Sequence, residues 1–399
     1  MAFTATMLSW ATLENGRLMG SELASAREAI RWATDYLLKC ATASPGKLYV
    51  QVGNPYVDHS CWQRPEDMSS NRPVYSVSAS NPGSDVAGET AAAMAAASMV
   101  FRRSDPKYAG VLLQTAAKLM QFALNYRGAY SQSLSSIVCP FYCSYSGYKD
   151  ELMWGAAWLY TATKKVSYLN VINSLGANDA TDIFSWDNKF AGARVLLARN
   201  ALVRKDKNCM QFIQPAEDFM CHILPNSPSS STQYTPGGLM YKIDGSNLQY
   251  VTAISFLLTT YGKYMNVAKK PSIKCGSSSI ASQALTSLAK RQIDYILGDN
   301  PLKISFMVGY GRRYPLRIHH RGASNPSMMA HAQAIGCQDS FSYLHTGNPN
   351  PNIFEGAIVG GPTRSDQYDD NRENYGQSEP TTYINAAAVG SLAYFAGKY

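Results

Sequence analysis

The stretch "SELASAREAIRWATDYLLKCA", residues 21 to 41, decides the fold class. Its apolar positions return every three or four residues, and Ser21 stands where a side-chain oxygen caps a first turn. That spacing predicts an amphipathic helix with one face turned to a core. Working outward, the same period fits 86 to 103, 106 to 125, 148 to 164, 189 to 203, 211 to 223, 247 to 266, 277 to 297 and 381 to 397. In 277 to 297, Ile280, Ala284, Leu288 and Ile296 mark the buried stripe, and Gly298 marks the stop. With the opening segment and shorter candidates this gives about ten or eleven helices. Alternation at every second residue is almost absent, so an all-α domain is expected.

The loops between these helices are long and rich in Trp, Tyr, Pro and Gly. Examples are "NPYVDHSCWQRPEDMSSNRPVYSVSASNPGSDVAGE", "SPSSSTQYTPGGLMYKIDGSN" and nearly everything from 298 to 380. Long ordered loops on a helical scaffold are where function usually resides. No linker or low-complexity tract divides the chain, so residues 1–399 read as one domain. No short-period repeat is visible, although successive helix pairs suit a toroidal stack.

Composition narrows the function classes. The chain has 399 residues, 46% hydrophobic and only 16% charged, which is enough to bury a large core. The most apolar run, "AAAMAAASMVF" at 91 to 101, is too short to span a membrane and reads as a packed core helix. Residues 1 to 20 lack a basic region ahead of an apolar segment, so no secretory signal is read there. The net charge of +8 is spread out rather than clustered, which argues for a solvated basic surface and against nucleic-acid binding. Eight cysteines show no CxxC metal pattern. Cys139 with Cys143, or Cys209 with Cys221, are pairs open to an oxidising compartment; buried free thiols are the alternative.

Two segments concentrate chemistry. In "SFMVGYGRRYPLRIHHRGASNP", residues 305 to 326, a glycine-flexed loop leads into Arg317, His319, His320 and Arg321. Donors at that density suit a polyhydroxylated or anionic ligand, because each hydroxyl needs a directional partner once water is displaced. The alternative is that two of the four only tie down loop backbone. The adjacent histidines cannot easily point at one ion, so no metal is expected, and no cofactor either. In "QYDDNRENYGQSEPTTYINAA", residues 367 to 387, Asp370 and Glu379 lie nine positions apart with Tyr375 between them. If Tyr375, Pro380 and Tyr383 wall in Glu379, desolvation keeps it protonated, as a general acid requires. Spacing alone leaves open that these carboxylates merely cap a helix.

These two segments resemble the paired active-site signatures of glycoside hydrolase family 9, the plant-type endo-β-1,4-glucanases. The likeness continues through "DHSCWQRPEDM", "PGSDVAGETAAAMAAAS", "DELMWGAAWLY", "TPGGLMYKIDGSNLQYVTA", "QIDYILGDNP" and "GAIVGGP", and so covers essentially the whole chain. The resemblance implies an (α/α)6 barrel of helical hairpins with an open groove for a β-1,4-glucan, cut with inversion at the anomeric carbon. It implies Glu379 as proton donor, Asp370 as supporting carboxylate, and His319 and Arg321 as substrate-binding residues. Asp58 and His59 are expected to line the groove near the cleavage point, together with Tyr375. Trp62, Trp154 and Trp186 are candidate sugar-stacking platforms, since a flat indole can cover the apolar face of a pyranose. The family acts outside the cell and at the cell wall, and the chain is expected to work as a monomer without nucleic acid or membrane.

An inverting glycosidase needs a second carboxylate about 6.5–9.5 Å from the acid to activate water. In the family this base comes from an Asp-Ala-Gly-Asp motif shortly before a segment like "MAFTATMLSW", which here is residues 1 to 10. The expectation is therefore an N-terminally truncated, incomplete barrel lacking its base. Asp58, Glu66, Asp67, Asp85 and Glu89 are the nearest acids in sequence, and the resemblance gives all of them other places. Two classes stay open: an endoglucanase, or a glucan-binding pseudoenzyme.

Overall fold

Inner and outer helices alternate along the chain in the computed structural model, which describes residues 1–176 and 181–397. The helices of nine or more residues are α1 (Ala2–Asn15), α2 (Glu22–Thr42), α3 (Ser84–Phe101), α4 (Pro106–Asn125), α5 (Lys149–Thr163) and α6 (Val166–Ser174). They continue as α7 (Phe190–Leu202), α8 (Ile213–Ile223), α9 (Leu248–Ala268), α10 (Ser282–Ile296), α11 (Cys337–His345) and α12 (Thr382–Ala396). Helix α1 packs on α3, α3 on α5, α5 on α7, α7 on α9, α9 on α12, and α12 back on α1. Those six helices close a ring. Against its outside lie α2, α4, α6, α8 and α10, an arrangement consistent with the (α/α)6 expectation.

The amino-acid pattern explains which helix goes where. Helix α2 buries only Ile30, Ala33, Thr34 and Leu37, a single stripe suited to the outer layer. Helices α3 and α5 are buried on nearly every side; α3 is rich in Ala, and α5 sets Gly155, Ala156 and Ala157 between the large Trp154 and Trp158. Small residues let neighbouring inner helices approach closely. A Cβ on Gly155 would lie 2.7 Å from the Gly88 carbonyl oxygen, and one on Gly88 would lie 2.8 Å from that of Glu151. Gly155→Val is thus expected to push α3 and α5 apart and cost about 1–3 kcal/mol, read as a lowered urea midpoint with unchanged slope. A wild-type midpoint would show that the helices yield freely.

Inside the ring, Trp10 packs edge-on against Trp158 (5.5 Å) and Phe256 (5.0 Å) and tilted against Trp154 (5.7 Å). Its indole donates to the Tyr264 hydroxyl at 3.2 Å. Trp154 is fully buried in this cluster. That corrects its assignment as a sugar platform: it sits on the inward face of an inner helix, where its indole covers other aromatic rings.

Three antiparallel hairpins interrupt the helices: β1 (Lys47–Val52) with β2 (Val74–Ser78), β3 (Gln233–Tyr234) with β4 (Met240–Tyr241), and β5 (Ser272–Cys275) with β6 (Ser278–Ala281). The last corrects the helix expected from 277. Gly276 adopts the left-handed region at φ +59°, which turns the chain back, so Ile280 pairs with Ile273 and the helix starts only at Ser282. Cys139 pairs with Cys143, Cys61 with Cys337, and Cys221 with Cys275. The alternative Cys209–Cys221 pairing fails because α8 packs on β5, which brings Cys275 to Cys221 and leaves Cys209 as a buried thiol.

The connectivity also places the site. The inner helices α1, α3 and α5 pass to their outer partners through short turns, α7 through 203–212 and α9 through the β5–β6 hairpin, whereas the segments leading back to an inner helix are 43–83, 126–148, 175–189 (of which 177–180 lie outside the described residues), 224–247 and 297–381. Short returns make the inner helices parallel. The described parts of the long loops 43–83, 126–148, 224–247 and 297–381 come together at one end of the barrel, where the inner helices begin.

Candidate active site

A cleft of about 900 Å³ opens at that end, lined by residues from four of these loops, among them Asp58, His59, Phe141, His319, Tyr375 and Glu379. Glu379 lies between the short helical turn Tyr375–Ser378 and Thr381, whose hydroxyl accepts from the Ile384 amide to cap α12. The His319 amide donates to the carbonyl of Ser378 at 3.1 Å, so the two sequence motifs are bonded next to the acid. The Glu379 carboxyl makes no hydrogen bond to a described residue. Burial pushes its pKa up, and the nearby His59 only partly offsets this. Tyr142 and Tyr383 flank it, and burial raises both phenols.

The histidines are oriented by backbone. His319 Nδ1 donates to the Arg372 carbonyl at 2.8 Å, which fixes the tautomer and leaves Nε2 without a hydrogen. Burial lowers its pKa, so the ring is neutral at pH 7. His59 Nδ1 donates to the Pro55 carbonyl at 2.7 Å, and its ring stacks on Phe141 at 4.4 Å. Arg321 grips Asp58 through two parallel bonds of 3.0 and 2.8 Å and reaches the Asp58 carbonyl at 2.7 Å. A paired guanidinium and carboxylate of this kind are largely spent on each other.

Other candidates lie elsewhere. Asp370 accepts from the amides of Leu316 (3.0 Å) and Arg317 (3.0 Å), and it borders a smaller cavity rather than the main cleft. Trp62 is 93% buried, because only 7% of it is exposed. Its indole donates to Ser324 at 2.8 Å, and its ring tilts against His319 at 4.7 Å with Arg321 over it. That corrects Trp62 as an open sugar platform: both of its faces have neighbours, and it acts as a wall behind His319. Trp186 is half-buried and packs edge-on against Tyr142, one step back from the lining. Tyr375 is 65% exposed over the cleft, with its ring 6.0 Å from that of His319. Of the basic quartet, Arg317 is spent on the carbonyl of Asp370 and His320 turns onto Phe354, so two of the four do serve the loop.

Two arginines that sequence reasoning missed hold these loops in place. Arg64, fully buried, donates to Asp67 (2.6 Å) and to the carbonyls of Pro326, His331 and Gln333. Arg372 does the same for the carbonyls of Tyr343, Thr346 and Asn348 and for the Asn350 side chain. Long irregular loops leave many buried carbonyls, and five fixed donors on one side chain satisfy them. That need was the only available signal. Among the described residues no group of three or more His, Cys, Asp or Glu is placed to hold a metal ion, and no helix is long and apolar enough to cross a membrane.

Comparison with known proteins gives a consistent answer. The model of glycosyl hydrolase family 9 matches residues 1–392. The chain is 66% identical over 396 residues to Endoglucanase 9 of Arabidopsis thaliana, covering 99% of this chain and 82% of that one. It is 54% identical to Endoglucanase 1 of Persea americana, over 99% and 81%. Among solved structures, the endoglucanase of the termite Nasutitermes takasagoensis superposes with a TM-score of 0.86 at 36% identity, over 100% of this chain and 85% of that one. Endoglucanase CelQ of Clostridium thermocellum, complexed with cellobiose and cellotriose, superposes with a TM-score of 0.82 at 29% identity, over 100% and 62%.

Proposed function

This chain belongs to glycosyl hydrolase family 9 as a glycosidase of the endoglucanase (cellulase) class, and from that premise we propose that its cleft binds an internal stretch of β-1,4-glucan with Glu379 as the general acid. The observation that carries the assignment is a half-buried carboxyl with no hydrogen bond to a described residue, its pKa pushed up by desolvation and its side chain set beside two backbone-oriented histidines. A protonated acid delivers its hydrogen to the leaving glycosidic oxygen, and the reaction then inverts the anomeric carbon once water attacks from the far side. Neutral His319 and exposed Tyr375 are positioned to meet sugar hydroxyls and a sugar face. Arg321 holds Asp58, and Asp370 supports the reaction indirectly by fixing the loop that carries His319. Three disulfides fit an oxidising, extracellular setting like that of the family.

A second reading rests on a specific observation. Among the described residues the only carboxylates lining the cleft are Asp58 and Glu379, and both oxygens of Asp58 are engaged by Arg321. On this reading the described residues lining the cleft offer no free general base, and residues 1–399 by themselves would act as a glucan-binding module. We further propose that the outer layer of the barrel between α12 and α1 takes a helix from beyond this sequence. The deciding experiment is titration with cellotetraose followed by a reducing-end assay. Binding without turnover supports the second reading, turnover supports the first, and neither binding nor turnover overturns both.

The state of the acid has its own test. With its folded pKa raised, Glu379 is protonated below that value and loses its proton as pH rises through it, so its carbonyl stretch should persist above the ordinary glutamate range. In difference infrared spectra against Glu379→Gln the band should fade only at a pH above that range. Since His59 lowers the value, His59→Gln should move the fading further up. A band already gone in the ordinary carboxylate range would contradict the assignment.

A further inference from the structure

The wall of the cleft formed by the β1–β2 hairpin carries a charge that the chemistry above does not use. Arg72 lines the cleft with Ser70 and Asn71, directly before β2. The hairpin end is pinned there by the Gly53 amide, which donates to the Pro73 carbonyl at 2.8 Å, and by the pairing of Val52 with Val74. Gly53 adopts φ +83°, and a Cβ in its place would lie 3.9 Å from Arg72 Cγ, so the arginine stem runs past the bare glycine backbone. Arg72 is exposed and makes no ion pair or hydrogen bond to a described residue.

A charge census of the lining makes this unusual. Asp58 is paired with Arg321, while burial pushes His319 toward its neutral form and Glu379 toward its protonated form. Among the described lining residues Arg72 is thus the full cation that no carboxylate offsets. A neutral glucan gives a guanidinium nothing that an amide or hydroxyl would not give as well, whereas a carboxylate matches its planar fork with two parallel bonds.

We propose that Arg72 is a specificity-determining residue that takes an anionic substituent, a uronate-type carboxylate, carried by the β-1,4-glycan bound against the β1–β2 wall. The proposal rests on the reading of the cleft as a glucan site, and it deepens that reading from a neutral backbone to a decorated one. Because it concerns binding, it does not depend on turnover.

Affinity electrophoresis with two polymers of the same backbone tests it: neutral hydroxyethylcellulose and anionic carboxymethylcellulose. Arg72→Gln should weaken retardation by carboxymethylcellulose about 3- to 10-fold and leave hydroxyethylcellulose within about 2-fold. Arg72→Lys should recover part of the loss, and raising the salt should shrink the difference. Lys207→Gln is the control for net charge. Its neighbour Asp206 pairs with Lys164 at the C-terminal end of α5, so it lies at the end of the barrel away from the cleft. A loss of equal size on both polymers, no loss on either, or an equal loss in Lys207→Gln would overturn the role of Arg72. Failure of the unaltered chain to bind either polymer would overturn the glucan reading itself, and the proposal with it.

Discussion

Fusing a segment that bears an Asp-Ala-Gly-Asp motif ahead of Met1 should raise hydrolysis of soluble β-1,4-glucan about 10²- to 10⁴-fold over residues 1–399 alone. The reason is the carboxylate census of the cleft. On the proposed reading Glu379 protonates the leaving group, but among the described residues lining the cleft water finds no free acceptor on the opposite face while Asp58 is clamped by Arg321. Helix α1 begins at Ala2 beside the start of α12, where Met1 and Thr4 contact Thr382, so a fused segment would enter at the end of the ring that carries Glu379. In the fused protein Glu379→Gln should remove the gain, because the amide keeps the shape and loses the proton. Reducing-end release from a soluble glucan is the measurement. Strong turnover by the unextended chain would sink the argument and point to Asp58, released from Arg321 on substrate binding, as the base.

Lys189→Met should cost the fold about 3–5 kcal/mol. Lys189 is 1% exposed and caps the start of α7 at the cleft end. Its ammonium lies 2.8 Å from Glu151 and 3.4 Å from Glu89, while its amide donates to Asp150 at 2.8 Å. Burial and the neighbouring Asp150 push Glu151 well above the usual carboxylate range, and Lys189 only partly offsets this. Removing the cation leaves Glu151 and Glu89 buried without their partner, so each must either stay ionised where nothing solvates it or take up a proton, and both outcomes cost stability. Equilibrium urea unfolding should show the loss, and adding Glu151→Gln should return part of it by removing one of the partnerless buried carboxyls. A change below about 1 kcal/mol would mean that water reaches the cluster.

Much of this protein was legible in its sequence because the signals were local. Helix α2 has a stripe that any register reproduces, and the run of alanines in α3 suits only an inner position buried on all sides. The pairing of His319 with the Glu379 segment was also readable, since both motifs keep several fixed positions and the resemblance tied them to one cleft. Desolvation of Glu379 was expected only if Tyr375, Pro380 and Tyr383 walled it in; Tyr383 does flank it, but the second phenol is Tyr142 from a distant loop, and Tyr375 stands exposed over the cleft.

What only the tertiary structure decided depended on which surfaces meet. Trp154 and Trp62 look alike in sequence to any sugar-stacking indole, but a ring's freedom is set by what packs on its two faces. One is enclosed by Trp10, Trp158 and Phe184, the other by His319 and Arg321. Arg64 and Arg372 were invisible because the carbonyls they satisfy lie far along the chain, up to 269 residues away in the case of Arg64 and Gln333. The hairpin that displaced the start of α10 turned on one glycine and a partner strand. Asp58 reads as a free acid until Arg321, 263 residues on, closes over it. Periodicity and motif are properties of neighbours in sequence, whereas burial, charge pairing and access to a cleft belong to neighbours in space.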